Sequence, residues 1–259
     1  MIIGQGRPGL TILFRQFLAR LPQFCCFCHQ KTNTGRDLCR YCEHHLPQIC
    51  DFSSKNGSTL CLRCGSEWPF AQDLQLCACC AKYRTEINQI ISPYRYGFPI
   101  DYLIGRLKYQ QHLPTGRLLG SLLAQQVKLN INIDQFPDIL LPVPLSRERY
   151  QQRGFNHANE IARSCGLELG IPVYDQSVGR HFDTGSLAGL TRAERGARIR
   201  GAFWAAENLN SARIAIVDDV LTTGATSGEL ATELRDSGVN ECQLWVLART
   251  PVSGAVSGS

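Results

Sequence analysis

Hydrophobic and polar positions alternate along this chain in two distinct rhythms. Short apolar, β-branched runs at 90–96, 138–143, 172–174, 213–218 and 241–247 predict strands, and between them lie stretches with helical spacing at 100–108, 115–129 and 156–169. Pro142 and Pro144 close the second run. A further helix is expected after Thr226, with Leu230 and Leu234 on its sheet-facing side and Thr226 and Glu229 spaced as a capping box. Strands alternating with helices predict an α/β fold, a mostly parallel Rossmann-like sheet with helices on both faces. Ligands of such sheets bind beyond the carboxyl ends of the strands, where both Pro142-Val143-Pro144 and Asp218-Asp219 are expected.

Ahead of this region the pattern changes. Residues 9–21 place Leu10, Leu13, Phe14, Phe17, Leu18 and Leu21 on one face of an amphipathic helix, which is too short and too often interrupted, by Arg15 and Arg20, to span a bilayer. Residues 24–86 are rich in cysteine. The expected organisation is a leading helix over 1–23, a cysteine-rich module over 24–86, an α/β domain over 87–250 and a disordered tail over 251–259.

Of the thirteen cysteines, eleven fall between Cys25 and Cys80. Cys25-x-x-Cys28 and Cys39-x-x-Cys42 are ten residues apart, and Cys61-x-x-Cys64 and Cys77-x-x-Cys80 are twelve apart. Paired knuckles at such spacing suit two tetrahedral sites in a zinc-ribbon-like module, each with four thiolates about 2.3 Å from a structural Zn²⁺. An iron–sulfur cluster fits these spacings less well. Cys26 and Cys79, next to proposed ligands, leave the ligand register open, and His29, His44 and His45 are near enough to be alternatives. Reduced, metal-binding cysteines and the lack of a secretory leader point to the cytoplasm. A net charge of +5 is mild for 259 residues, so nucleic-acid binding would need a local patch.

Residues 214–226 carry the chemistry. An apolar strand ends in two carboxylates, followed by a hydroxyl-rich turn with one glycine and a helix start. Backbone N–H groups at that helix start favour a phosphate, and the carboxylates can accept bonds from ribose hydroxyls. A strand ending in Asp-Asp also occurs in P-loop NTPases, but no Gly-Lys dipeptide is found in the chain. A buried strand ending in a ligand-free polar turn is the simpler alternative.

This segment resembles the phosphoribosyl-pyrophosphate (PRPP) loop of type I phosphoribosyltransferases. Residues 140–162, the pair Lys108-Tyr109, and residues 190–195 with 201–203 narrow the resemblance to the ComF family of competence-associated proteins, over about 24–250. The resemblance implies a phosphoribosyltransferase-type sheet and a PRPP site made of Asp218, Asp219, Val220, Leu221, Thr222, Thr223, Gly224, Ala225 and Thr226. It places pyrophosphate at the turn after Pro144, with Arg147, Arg149 and Arg153 at hand. Asp218, Asp219, Arg147 and Arg153 are then the catalytic candidates, with Mg²⁺ entering with PRPP. A mobile loop over 183–200 would bring Arg192 and Arg195. Leu187, Arg198 and His157 depart from the family pattern, which usually has Gln, Asn and Gln there. The implied activity is transfer of ribose 5-phosphate to a nitrogen nucleophile; a PRPP-binding adaptor without transfer is the alternative. Single-stranded DNA or the DNA-uptake machinery is the implied macromolecular partner, held by the arginines at 147, 149, 153, 192, 195, 198 and 200.

Overall fold

The computed structural model describes residues 23–49, 59–60, 67–68, 86–183, 192–209 and 212–250. The leading helix, the tail and the second set of cysteines, Cys61, Cys64, Cys77 and Cys80, lie outside them. The chain forms two compact units, 1–46 and 47–259, so the boundary falls inside the stretch expected to be one cysteine-rich module.

In the smaller unit, β1 (Gln23–Phe24) and β2 (Lys31–Thr32) form an antiparallel hairpin. A short helix, α1 (Arg40–His44), follows. Cys25 and Leu38 are buried in this unit.

In the larger unit, the short strands β3 (Thr59–Leu60) and β4 (Glu67–Trp68) pair antiparallel with each other. The central sheet contains β5 (Gln89–Ile91), β6 (Tyr94–Arg95), β7 (Ile139–Pro142), β10 (Arg213–Leu221) and β11 (Glu241–Arg249). Its order is β5-β11-β10-β7, with β6 also on β11, and every pairing is parallel. Strands buried on both faces need apolar residues at consecutive positions. That is why Ile214, Ala215, Ile216 and Val217, and the run from Cys242 to Ala248, are all buried.

Three of the expected strands differ in extent. The run at 90–96 is divided into β5 and β6, with Pro93, which has no N–H to give, between them. The run at 172–174 is reduced to one parallel bridge, Leu140 to Val173, beside Pro172. The third, β10, continues past Asp218 to Leu221, because β11 is long enough to pair with it as far as Arg249.

Helices cover both faces. On one lie α2 (Ile100–Gln110), α3 (Leu113–Asn130) and α5 (His157–Leu169). At Gly120 in α3 a Cβ would meet the Ile161 carbonyl oxygen and the Ser164 Cβ at 2.5 Å, so only glycine lets α3 and α5 approach this closely. On the other face, α7 (Ala225–Asp236) contributes Leu230, Ala231 and Leu234 to a core shared with Ile139, Leu141, Ile214, Ile216, Leu244 and Val246. The hairpin of β8 (Val178–Arg180) and β9 (Phe203–Ala205) adds Val178 and Phe203 to this core, and α6 (Arg192–Ile199) adds Ile199. After β7 the chain moves outward to Val173, whereas β10 lies on the inner side of β7. The strand order therefore reverses between β7 and β10, where a crevice opens at the carboxyl edge of the sheet.

Candidate functional site

The crevice is assembled from the ends of several elements. Beyond Pro142, where the pairing of β7 ends, β10 runs on alone on that side and leaves Asp218 and Asp219 facing the crevice. After β10 the chain turns through Thr222, Thr223 and Gly224 into α7. Gly224 is the N-cap residue, in the left-handed region at φ 76°. The helix thus begins at Ala225, one position ahead of the expected cap at Thr226. The expected capping box does not form: Glu229 Oε1 instead accepts from the Gly201 N–H at 2.6 Å. The N–H groups of the first turn of α7, which have no partners within the helix, face a small cavity of about 60 Å³. Asp218, residues 220–227 and Val246 line it. A helix N-terminus over a tight turn favours an anion by both hydrogen bonding and dipole.

A second cavity of about 190 Å³ adjoins the first, and the two share Asp218 and Thr226. Its basic walls come from Lys108 at the end of α2, Arg149 and Arg153 of α4 (Arg147–Arg153), and Arg180 of β8. Local sequence places these groups. Ser146 Oγ caps α4 by accepting from the Arg149 N–H at 3.3 Å. Asn156 Oδ1 caps α5 by accepting from Ala158 N–H at 3.0 Å, and its amide donates to the Val143 carbonyl at 3.0 Å, which ties the helix start to the end of β7.

Asp219 is the hub. It is 5% exposed, and its two oxygens are directed at protein groups: Lys108 Nζ pairs with Oδ2, and His157 Nε2 lies 3.4 Å from Oδ1. Arg153 donates to His157 Nδ1 at 3.2 Å. Burial lowers the pKa of His157 despite the Asp219 charge, which keeps the imidazole neutral. A neutral ring with Nδ1 accepting from Arg153 carries its proton on Nε2, pointed at Asp219. Burial opposes ionisation of Asp219, but Lys108 and His157 together outweigh it and hold the carboxyl well below the usual range. Burial likewise opposes the charge on Lys108, yet Asp219 raises its pKa. Asp218 differs: burial and the neighbouring Asp219 charge push it up to about 8, while its Oδ1 accepts from the Asp219 N–H at 2.9 Å. The pair is thus split: Asp219 is its ionised member, and Asp218 holds its proton well above the usual carboxylate range.

Of the expected site residues, Asp218, Asp219, Arg153 and the whole turn from Val220 to Thr226 come together here. Arg147 does not: it is exposed at the first position of α4, and Arg149 takes its place. Arg192 opens α6, so the second half of the segment expected as a mobile loop is helical, through Arg195 to Ile199. Lys108, His157 and Arg180 are site residues that the sequence reading did not nominate.

In the smaller unit, the sulfurs of Cys25, Cys28, Cys39 and Cys42 all lie within 4.8 Å of one another. Four thiolates at that spacing can hold one zinc ion with no coordination position left open. The sulfur grouped with those of Cys28, Cys39 and Cys42 is that of Cys25, not Cys26. Burial opposes the Cys25 thiolate, but backbone N–H groups of Cys28, Cys39 and Phe27 outweigh it and bring the pKa down to about 6.

The open parallel sheet, its switch-point crevice and the strand–turn–helix cradle define the class of α/β protein that residues 214–226 predict. Within that class, the chain is 34% identical to competence protein F of Haemophilus influenzae over 194 residues, 73% of this chain and 84% of that one. It belongs to the competence protein F (ComF) family. It is also 28% identical over 204 residues to the DNA utilization protein YhgH of Salmonella typhimurium, covering 78% of this chain and 89% of the relative. No protein-family model matches the chain. Among solved structures, it resembles the glutamine PRPP amidotransferase of B. subtilis complexed with ADP and GMP, at TM-score 0.35 and 22% identity over 51% of this chain. That likeness spans 25% of the amidotransferase. A purine phosphoribosyltransferase from Pyrococcus horikoshii matches at TM-score 0.34 and 20% identity, over 54% of this chain and 77% of its own. Among the described residues no helix is long and apolar enough to cross a membrane.

Proposed function

We propose that this protein binds PRPP across the two adjoining cavities and acts in the handling of DNA taken up by the cell. The observation that carries the first half is the shared wall. A cradle of backbone N–H groups suits the 5′-phosphate, a cavity with four basic side chains suits the pyrophosphate, and Asp218 stands between them where a ribose would lie. Arg149 and Arg153 are suited to phosphate oxygens because a guanidinium presents parallel donors. Such a site could stabilise a departing pyrophosphate electrostatically while the ribose is held in place, which is what transfer of ribose 5-phosphate to a nucleophile requires. The second half rests on the relatives, whose names refer to competence and DNA utilization. Cys25, Cys28, Cys39 and Cys42 would hold zinc in a structural role.

Calorimetric titration tests the reading. Ribose 5-phosphate and pyrophosphate should each bind weakly, and PRPP, which spans both cavities, should bind more tightly than either by at least about tenfold. PRPP binding no tighter than pyrophosphate alone would remove the ribose assignment.

The exposed side of α2 favours direct contact with single-stranded DNA as a second reading. Tyr102, Arg106 and Tyr109 follow one another at helical spacing, with the Arg106 guanidinium 5.9 Å from the Tyr102 ring centroid and Arg153 5.8 Å from that of Tyr109. Tyr109 is 77% exposed and Phe98, just ahead of the helix, 76%. Aromatic faces interleaved with arginine stack bases without reading sequence. Fluorescence anisotropy with labelled oligo-dT should show weak, salt-sensitive binding, reduced several-fold by Tyr102→Ala with Tyr109→Ala. Binding unchanged in that variant would place the contact elsewhere or nowhere.

A further inference from the structure

The side chains of His157, Asp218 and Asp219 approach within 4.8 Å of one another, the spacing of a divalent metal site, and Mg²⁺ is the ion that PRPP chemistry would bring there. The chain's own contacts argue against that use. Mg²⁺ demands six ligands in near-ideal octahedral geometry, at about 2.0–2.1 Å, and generally takes carboxylate, water and phosphate oxygens. Here Asp219 Oδ2 already pairs with Lys108, and Asp219 Oδ1 faces His157 Nε2. His157 Nδ1 accepts from Arg153, and Asp218 Oδ1 accepts from the Asp219 amide. Of the candidate ligand atoms, only Asp218 Oδ2 is left without one of these protein partners, and an incoming dication would lie beside the Lys108 ammonium.

We propose that Lys108 is the resident cation of this acidic pair, and that the cavity binds its polyanion without a divalent metal held by the protein. This deepens the PRPP reading, on which it rests for the identity of the ligand. The charges agree with it. Lys108, Arg149, Arg153 and Arg180 line a cavity whose acidic groups are Asp218 and Asp219, so positive charge exceeds negative by two even with both carboxylates ionised. Asp183, 3.8 Å from Arg149, offsets part of that excess and still leaves the cavity net positive. A doubly or triply charged phosphate ester or pyrophosphate meets a basic pocket that is already complete. Lys108 acts through Asp219 as a positioning residue: it neutralises the buried carboxylate that would otherwise repel the ligand, and it holds that carboxylate away from any metal.

The test uses zinc-replete, full-length protein in metal-scrubbed buffer, with inorganic pyrophosphate and PRPP as probes. Pyrophosphate affinity should be the same, within about twofold, with and without millimolar Mg²⁺ once free and Mg-bound pyrophosphate are accounted for. Wild-type protein should take up no Mn²⁺ at the acidic pair, as followed by electron paramagnetic resonance. Lys108→Met should weaken pyrophosphate in metal-free buffer by about tenfold or more and should create a Mn²⁺ site, because it frees Asp219 Oδ2. Lys108→Arg should retain metal-independent binding, and the wild-type measurements stand even if Lys108→Met does not fold. Pyrophosphate binding that requires Mg²⁺, or Mn²⁺ bound by the wild type at this pair, would overturn the proposal while leaving the PRPP reading intact. Metal-independent pyrophosphate binding with PRPP no tighter would sustain the proposal and remove the ribose.

Discussion

Replacing Asp219 by asparagine removes one charge from the centre of the crevice and little volume. The carboxylate is 7% exposed and its partner Lys108 is 20% exposed, so neither group can turn to water when the pair is broken. At an effective dielectric of about 20, two unit charges about 4 Å apart attract by about 4 kcal/mol. Breaking a buried pair by removing one member typically costs about 3–5 kcal/mol, since the remaining charge stays uncompensated. His157 is neutral and loses only a hydrogen bond to an anion, a smaller effect. The expected destabilisation is therefore about 3 kcal/mol at neutral pH, a large share of the 5–15 kcal/mol typical of a domain. Asp219 has a depressed folded pKa, so its contribution is present above the ordinary carboxylate range and is lost as the pH falls through the folded value. The raised pKa of Lys108 acts at the other end: its contribution is present below the ordinary lysine pKa and is lost as the pH rises through the folded value. Because the variant relieves Asp218 of the Asp219 charge, the difference between wild type and Asp219→Asn should shrink as the pH rises toward about 8 and level off above it. Urea unfolding followed by circular dichroism measures it, and Lys108→Met with Asp219→Asn should cost less than the sum of the single changes. A loss below about 1 kcal/mol, or strict additivity, would show that the pair is not coupled and that the hub assigned to Asp219 is wrong.

Three further outcomes follow from the same geometry. Because Asp218 is protonated below about 8 and gains a negative charge above it, pyrophosphate affinity should fall by about tenfold as pH rises through that value, and Asp218→Asn should flatten the profile in a calorimetric titration. Gly224→Val places a β-branched residue at φ 76°, which costs about 1–2 kcal/mol, and crowds the cradle; ribose 5-phosphate binding should be lost while pyrophosphate binding persists. Cys39→Ser should lower the zinc content of the full chain by about one ion as measured by atomic absorption, and an unchanged content would dismiss the four-sulfur site.

The strands, the cradle and the first cysteine set were legible in the sequence because each is encoded locally. An apolar run, a Gly-containing turn and a pair of knuckles carry their own signals within a few residues of one another. Other features depended on partners distant in the chain. Residues 213–218 read as a strand ending at the first aspartate, yet β11 pairs with β10 to Leu221, so Asp219 falls within the strand and its side chain is directed toward α2 and α5. Glu229 has capping-box spacing, but the Gly201 N–H, from the chain just after α6, claims its carboxylate.

The basic residues divide along the same line. Arg147 and Arg149 were indistinguishable as charges beside a proline turn, but a helix separates neighbours two apart by about 200°, whereas Arg149 and Arg153, four apart, share a face. That spacing was available in the sequence and selects the pair that lines the cavity. Nothing local singles out Arg180, which enters through the β8–β9 hairpin. Lys108 stood in a recognisable Lys-Tyr pair without a role, because its partner lies far along the chain. His157, which departs from the family pattern, is the residue that joins Arg153 to Asp219. A glutamine there could also accept from the arginine and donate to the carboxylate through its amide. The departure thus preserves the hydrogen-bonded relay while adding a ring that burial keeps neutral, and it ties the basic wall of the crevice to its acidic hub.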